Sequence, residues 1–450
     1  MIPAVAAGHT ATADAGAELL RAGGTAADAA VGACLASCVA ETLMTGLLGG
    51  GHAIYHDAGA GTTTNLDSFV AVPTGAGAPM EQVEVRFGEE TVRYAVGASS
   101  CAVPGVTAGL DALWRRHGRL PWRDVVAPAL RLAQEDAVFS PAHAACLRML
   151  APVMTMREGA RIYAPRGALL EPGERVAQPG LATALELLRD EGPRSVYEGT
   201  IARSLLALSD ERGGSLTGPD LAGYDAVWCE PLEVAFADCR VLTRGGIGGV
   251  PEALAALEPP YGRDQLLDVL DRPGPGGGQT TNISVVDAEG NACVLTTSLG
   301  LGSGDWLPGL DVHLNSMLGE VDLIREPLVP GARMASMMAP SLVFDEGGLS
   351  LAIGSAGGTR LRTALVGVLA AVLGEGVPLQ QAIDRPRFHP VADVVNAEPG
   401  VDEGWLASLE ARGRAVRRWP AFHHFFGGVS AVGRDEAGAD PRRSGAVRRP

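Results

Sequence analysis

Apolar residues crowd positions 12–40 at helical spacing, and Gly23–Gly24 splits the run into two predicted helices. Thr25 is placed to cap the second, with Asp28 in the first turn, where the helix dipole favours a carboxylate. The segment Gly46–Gly51 ends that helix, and a strand begins at Ala53–Tyr55. Residues 106–135 alternate between helix and turn, with Pro121 and Pro128 as punctuation. Residues 180–240 read as helices followed by a strand through Leu232–Phe236. From Gly245 to Gly278 the pattern changes. Pro251, Pro259, Pro260, Pro273 and Pro275 interrupt it, and Gly274 with Gly276–Gly278 loosen its end, which predicts a linker or mobile loop. The strongest strand signal follows at once: Ile283–Asp287 is rich in β-branched residues, Ala288–Asn291 is a turn, and Ala292–Ser298 returns. Further strands are expected at Ser341–Phe344 and Leu349–Ile353, and a helix over Leu361–Leu373. No internal repeat is visible.

Composition narrows the class. The 450 residues are 46% hydrophobic, 20% charged and 5% aromatic, with 60 glycines, so a sizeable core built from small side chains is expected in an α/β protein. A net charge of −16 excludes the basic stripe of a nucleic-acid binder. The short basic clusters, Arg414 with Arg417–Arg418 and Arg442–Arg443 with Arg448–Arg449, read as solvated surface and a terminal tail. Seven cysteines occur with no C-x-x-C pair, and Cys34 and Cys38 share a helical stretch, so reduced core thiols are expected, as in a cytoplasm. The opening Met-Ile-Pro-Ala-Val-Ala-Ala-Gly-His has no charged n-region before an apolar run, and no stretch has the length and apolarity of a membrane span. The expectation is a cytoplasmic enzyme, with no membrane or nucleic-acid partner.

Candidate chemistry centres on Thr280, which opens the strand after the Gly-rich segment. If the Gln279–Thr280 bond were cut, Thr280 would carry both a hydroxyl and a free α-amine. An α-amine titrates at roughly 7.7–8.0 and can take the hydroxyl proton, so one residue supplies nucleophile and base. The same hydroxyl can attack the Gln279 carbonyl to make the cut. Gly354–Arg360 lies between a predicted strand and helix, where its N–H groups suit an oxyanion. Ser298 on the returning strand is placed to hydrogen-bond the Thr280 hydroxyl or amine. His423–His424 is a metal pair only on paper, because adjacent strand residues point oppositely; a chance surface pair is the plainer reading. No phosphate loop or dinucleotide fingerprint is present, since Gly49–Gly51 lacks the spacing and the lysine. No metal or organic cofactor is expected.

Six segments, in order, resemble the γ-glutamyltransferase family: Gly23–Val31 with Gly49–Gly51; Ala102–Leu110 with Gly118–Trp122; Tyr197–Gly199 with Leu221–Tyr224; Gln279–Asp287 with Gly290–Ala292; Gly354–Arg360; and Arg385–His389 with Asp440–Arg443. The resemblance implies a four-layer αββα sandwich of the N-terminal-nucleophile hydrolases. It implies a precursor split into a large subunit, 1–279, and a small one, 280–450, that stay together as one intertwined structural domain. Thr280 carries over as nucleophile, Gly357 and Gly358 as oxyanion hole, and Ser298 as the supporting hydroxyl, where the family usually has Thr.

Departures from the family pattern fall on substrate recognition. The arginine that holds a γ-glutamate carboxylate is replaced by Phe69, which cannot make its bidentate bonds. The asparagine after the returning strand is Gly300. The Asn-Asn-Gln-x-Asp-Asp segment reads Asn315-Ser316-Met317-Leu318-Gly319-Glu320, with Glu320 in place of the amine-binding Asp, and the Ser-Ser pair reads Ser336-Met337. The substrate pocket is therefore expected at Phe69, Asn315, Met317, Glu320, Ser336 and Met337. The first reading is a hydrolase of a different small substrate, similar to the homologues of actinobacterial alkylproline pathways (lincosamide, pyrrolobenzodiazepine and hormaomycin types), in which a C–C bond beside an activated keto carbonyl is broken. The alternatives are a γ-glutamyltransferase or glutathione hydrolase, with Arg333 or Arg360 replacing the lost cation, and an inactive binding homologue.

Overall fold

The computed structural model describes residues 1–87, 90–271, 279–324 and 326–450. Two antiparallel sheets carry the fold. The first has seven strands in the order Ala446–Arg448, Ala4–Ala7, Gln279–Val286, Ala292–Gly300, Gly50–Asp57, Thr62–Ser68 and Val227–Cys229. The second has six, in the order Ala437–Ala439, Gly428–Gly433, Gly348–Ala356, Ser341–Asp345, Cys239–Thr243 and Leu232–Phe236. In each sheet, strands from before and after Thr280 lie side by side.

Strand alternation sorts the side chains into layers. Ala4, Ala6, Ile54, Val294, Leu342, Ala352 and Val432 form one cluster shared by the two sheets. The opposite positions of the first sheet, Val5, Ala53, Ile283, Val285 and Leu295, pack with helices Thr10–Arg21 and Ala26–Ala40. The opposite positions of the second, Val343, Leu351, Ile353, Val429 and Ala431, pack with helix Arg360–Leu369. Helix Ala26–Ala40 is buried along its whole length, which its alanines and glycine permit. Thr25 caps it as expected, and Asp28 completes a capping box, Thr25 accepting from the Asp28 N–H and Asp28 from the Thr25 N–H.

The structure corrects three expectations. Of the proposed linker Gly245–Gly278, the part up to Leu270 forms two helices, Val250–Ala255 and Arg263–Leu270, whose apolar faces join the core under the second sheet; residues 272–278 lie outside the described residues. Pro128 sits inside helix Trp122–Glu135 without ending it, whereas Pro121 is its N-cap. The helix expected to reach Leu373 closes as a regular α-helix at Leu369 and continues as one wider turn to Gly374. Among the described residues no helix is long and apolar enough to cross a membrane.

Candidate active site

Thr280 lies one residue into the strand that the β-branched run builds, beside a register shift between Gln279 and Thr281 against the returning strand. Alternation puts Asn282 and Ser284 toward the second sheet, where Ser284 Oγ donates to the Ser430 carbonyl (2.8 Å) and Thr296 Oγ1 donates to Asn282 Oδ1 (2.7 Å). Thr281 faces the helices and donates to Glu41 Oε2 (2.6 Å). The other oxygen of Glu41 accepts from Thr12 (2.6 Å). One buried carboxylate at the end of helix Ala26–Ala40 thus ties down the residue next to Thr280.

In front of Thr280 opens a cleft of about 390 Å³, including its mouth. Thr280, Ser298 and Gly358 line it together with Phe69, Met317, Glu320, Ser336 and Met337. With Gly300, nine of the residues singled out from the sequence line it, from six separate stretches of chain. Ser298 accepts from the Gly300 N–H (2.9 Å). Gly357 and Gly358 turn the chain from strand Gly348–Ala356 into helix Arg360–Leu369, with φ of +121° and +58°. Gly358 faces the cleft, while Gly357 is backed by Arg443: a Cβ at Gly357 would come within 2.7 Å of the Arg443 guanidinium and 3.0 Å of Gly427 Cα. Only glycine fits there.

Phe69 is fully buried, its ring stacked on His52 at 5.5 Å. Burial holds the His52 imidazole well below its usual range, so a neutral ring backs the phenyl group. Arg333 does not enter the cleft lining: it donates to the Phe69 carbonyl (3.0 Å) and to the Asp225 carbonyl and lies over the Tyr224 ring. Arg360 is likewise outside the lining, its Nε on the Phe425 carbonyl (3.0 Å). Among the described residues, the cleft lining holds no cationic side chain.

Glu320 is buried. Its Oε1 accepts from the Leu301 N–H (2.8 Å) and from Ser316 Oγ (3.0 Å), while Oε2 has no protein partner. Burial and the neighbouring Asp322 push its carboxyl up to about 7, against the pull of those two donors and of Arg360. Gly300 makes room for it: its φ is +72°, and a Cβ there would meet Ser316 Oγ at 2.6 Å and Glu320 Oε1 at 2.8 Å.

Asn315 stands apart from the cleft lining. Its amide donates to the Leu48 and Ala102 carbonyls and its oxygen accepts from the Ala102 and Met317 N–H groups, so it fixes the loop that carries Met317. Sequence reasoning missed Asp322, Leu323, Met338 and Leu361 in the lining. Asp322, two residues past Glu320, and Met338, next to Met337, were within reach of a wider reading of the same motifs.

Arg442 and Arg443 are not a solvated tail. Both are buried: Arg442 Nε bonds Glu398 (2.6 Å) and its Nη1 bonds Asp440 (3.2 Å), and Arg387 bonds Asp440 from the other side (2.6 Å). Burial lowers the Arg443 guanidinium to about 10, still cationic at neutral pH. His424 is buried too, with His423 half-buried against Trp419, so the pair is core rather than surface. Among the described residues no group of His, Cys, Asp and Glu could hold a metal ion. Of the cysteines, five are buried, Cys239 is half-buried and Cys229 is exposed on an edge strand; all are free thiols.

The sequence profile of the gamma-glutamyltranspeptidase family matches residues 12–258 and 262–449, and the chain belongs to that family, a group of N-terminal-nucleophile hydrolases and acyltransferases. Its relatives include the acylase ACY 1 proenzyme of Pseudomonas sp. (strain V22), 27% identical over 95% of this chain and 89% of that protein. The glutathione hydrolase proenzyme of Pseudomonas aeruginosa is 28% identical over 86% of this chain and 82% of that protein. Two solved structures share the fold over 100% of this chain at 23% identity: the cephalosporin acylase of Bacillus halodurans (96% of that chain, TM-score 0.83) and LmbA2991HD (98% of that chain, TM-score 0.85).

Proposed function

We propose that the chain is a self-cleaving, threonine-dependent hydrolase that splits before Thr280 and processes a small molecule through an acyl ester on the Thr280 hydroxyl. The observation that carries this reading is the convergence of Thr280, Ser298 and Gly358 on one cleft, at the start of a strand anchored through Thr281 and Glu41. The two sheets, each with helices on its outer side, are read as the four-layer αββα sandwich, with 1–279 and 280–450 as intertwined subunits. The free α-amine takes the Oγ proton, Oγ attacks the substrate carbonyl, and N–H groups of the Gly357–Gly358 turn receive the oxyanion. The tetrahedral adduct collapses to the ester as the leaving group departs and takes up the proton, and water then hydrolyses the ester.

The substrate side departs from a γ-glutamyl enzyme. A γ-glutamate carboxylate asks for a bidentate cation, and Phe69 occupies the wall where the resemblance places it. Met317, Met337 and Met338 make the rest of that wall apolar. We read the reaction as hydrolysis of a C–C bond next to an activated keto carbonyl, in specialised-metabolite biosynthesis of the alkylproline type. The five buried free thiols suit a reducing cytoplasm. A glutathione hydrolase would need a cation in the cleft, and Arg333 and Arg360 are engaged elsewhere.

Intact mass under denaturing conditions, wild type beside Thr280→Ala, is the test. Two fragments meeting at Gln279/Thr280 in the wild type only are expected. One unbroken chain in both would remove the free-amine mechanism and leave a binding protein.

A further inference from the structure

Among the described residues lining the cleft, Glu320 is the one side chain with a buried polar atom left over. Oε1 is committed to two donors, the Leu301 N–H and Ser316 Oγ, so that oxygen is fixed as an acceptor. Oε2 is shielded from solvent and meets no protein group. The cleft that Glu320 lines is walled largely by Phe69, Met317, Leu323, Met337, Met338 and Leu361, which solvate a charge poorly, with Thr280, Ser298, Ser336 and Asp322 as its other polar side chains. The charged and titratable groups facing it are Asp322 on its own segment, Arg360 on the helix behind the cleft, the Tyr94 phenol, and the Thr280 amine once the chain is cut. Asp322 opposes ionisation, and the Arg360 charge works the other way. An ionised Glu320 would put a bare oxygen charge into a largely apolar cleft; a protonated one puts a single O–H donor there.

We propose that Glu320 serves this cleft as a carboxylic acid, donating Oε2–H to a carbonyl oxygen of the substrate, so that the acyl group taken up carries a ketone oxygen at the place where a γ-glutamyl group carries an ammonium. This rests on the reading of Thr280 as acyl acceptor and specifies the substrate of that same site. Gly300 is part of the device. A side chain there would collide with Glu320 Oε1 and Ser316 Oγ, so the glycine permits an acid one methylene longer than aspartate to occupy the position. The acid keeps its proton throughout: it is a hydrogen-bond donor to bound substrate and not a proton source for the leaving group. The upward displacement of its carboxyl to about 7 agrees with this state.

The test uses the cleaved, full-length enzyme and three p-nitroanilides that differ only at the distal position: 4-oxopentanoyl, 4-aminobutyryl and γ-glutamyl. Thr280 attack forms the acyl ester, breaks the anilide C–N bond and releases p-nitroaniline, so all three report the same step. The ketone should exceed the ammonium donor at least tenfold in kcat/KM, and its rate should fall as pH rises through about 7, where the acid ionises. Glu320→Gln, which keeps an N–H donor, should lose less than tenfold on the ketone and lose the fall near neutrality. Glu320→Leu should lose more than tenfold, chiefly in KM. Preference for either ammonium substrate, with Glu320→Gln abolishing it, would overturn the proposal and make Glu320 an anionic acceptor. Infrared difference spectra of wild type minus Glu320→Gln give a readout independent of turnover: a protonated-carboxyl band at about pH 6 that disappears at about pH 8 is expected, and carboxylate bands at both would overturn it. A chain that stays unbroken at 279/280 would instead sink the Thr280 reading, and its infrared spectrum would still decide the state of Glu320.

Discussion

The two sides of Thr280 are built differently. Behind it, polar groups hold the scaffold through short, specific bonds: Thr281 and Thr12 on Glu41, and Arg387, Asp440, Arg442 and Glu398 in one buried chain. In front of it, methionines and a phenylalanine share the cleft with two acids, Asp322 and Glu320, the latter with a spare oxygen. A hydrogen-bonded scaffold loses the full desolvation cost when one partner goes, whereas flexible thioethers can re-pack around a new shape. The back therefore fixes Thr280 and its strand, and the front is where side chains can be changed without losing the fold.

The largest expected effect lies behind. Arg442→Met would leave Glu398 buried without its cation, while Asp440 keeps Arg387, and breaking such a buried pair costs about 3–5 kcal/mol; a large drop in the denaturant midpoint is expected, and an unchanged midpoint would show the network to be ornamental. Next is Gly357→Ala. Its Cβ meets the Arg443 guanidinium at 2.7 Å with φ at +121°, so the turn must move. Loss of an aligned oxyanion donor costs roughly 10²–10³ in kcat; single-turnover kinetics on any accepted anilide would check it, with KM little altered.

Smaller effects belong to the front. The Glu320 carboxyl sits at about 7 in the fold and at about 4.5 in an open chain, so between these values the folded state holds a proton that the unfolded state has released. Stability of the wild type should fall as pH rises from about 4.5 to 7 and then level off, while Glu320→Gln should not show this fall; the variant should gain roughly 1–3 kcal/mol on the wild type between pH 5 and 8. Thermal melts at the two pH values measure it, and parallel curves would refute it. The smallest effect is that of Met337→Leu, a swap of similar volume costing less than about 1.5 kcal/mol. It should shift KM between acyl donors while leaving autocleavage intact, and a block in autocleavage would show that front and back are not separable.

Contiguous motifs were legible in the chain. The Thr280 strand, the glycine turn at 357–358 and the pocket residues Phe69, Met317, Glu320 and Met337 come together because each motif is a short local structure docked on a sheet. What the chain hid depends on distant partners. Arg442 looks like part of a basic tail until Glu398, 44 residues away, is seen beside it. Asn315 carries the residue type of a ligand-binding amide, yet its hydrogen bonds go to backbone groups at Leu48, Ala102 and Met317 and to the Cys101 sulfur. Prolines and glycines between 245 and 270 pointed to a loop, but Pro251 sits in the first turn of a short helix, where its missing N–H costs nothing.

Strands from either side of Thr280 are neighbours in both sheets: Ala4–Ala7 lies against Gln279–Val286, and Cys239–Thr243 against Ser341–Asp345. In an unsplit chain these pairings form within one polymer, at a rate independent of concentration. With the proposed cut before Thr280, fragments dispersed by denaturant must first find one another, and renaturation becomes a second-order encounter. Recovery on dilution should then slow with every reduction in protein, while the unsplit Thr280→Ala chain returns equally fast at all concentrations. The scission would make assembly a one-way passage, with the working enzyme held by its history of synthesis as much as by its equilibrium.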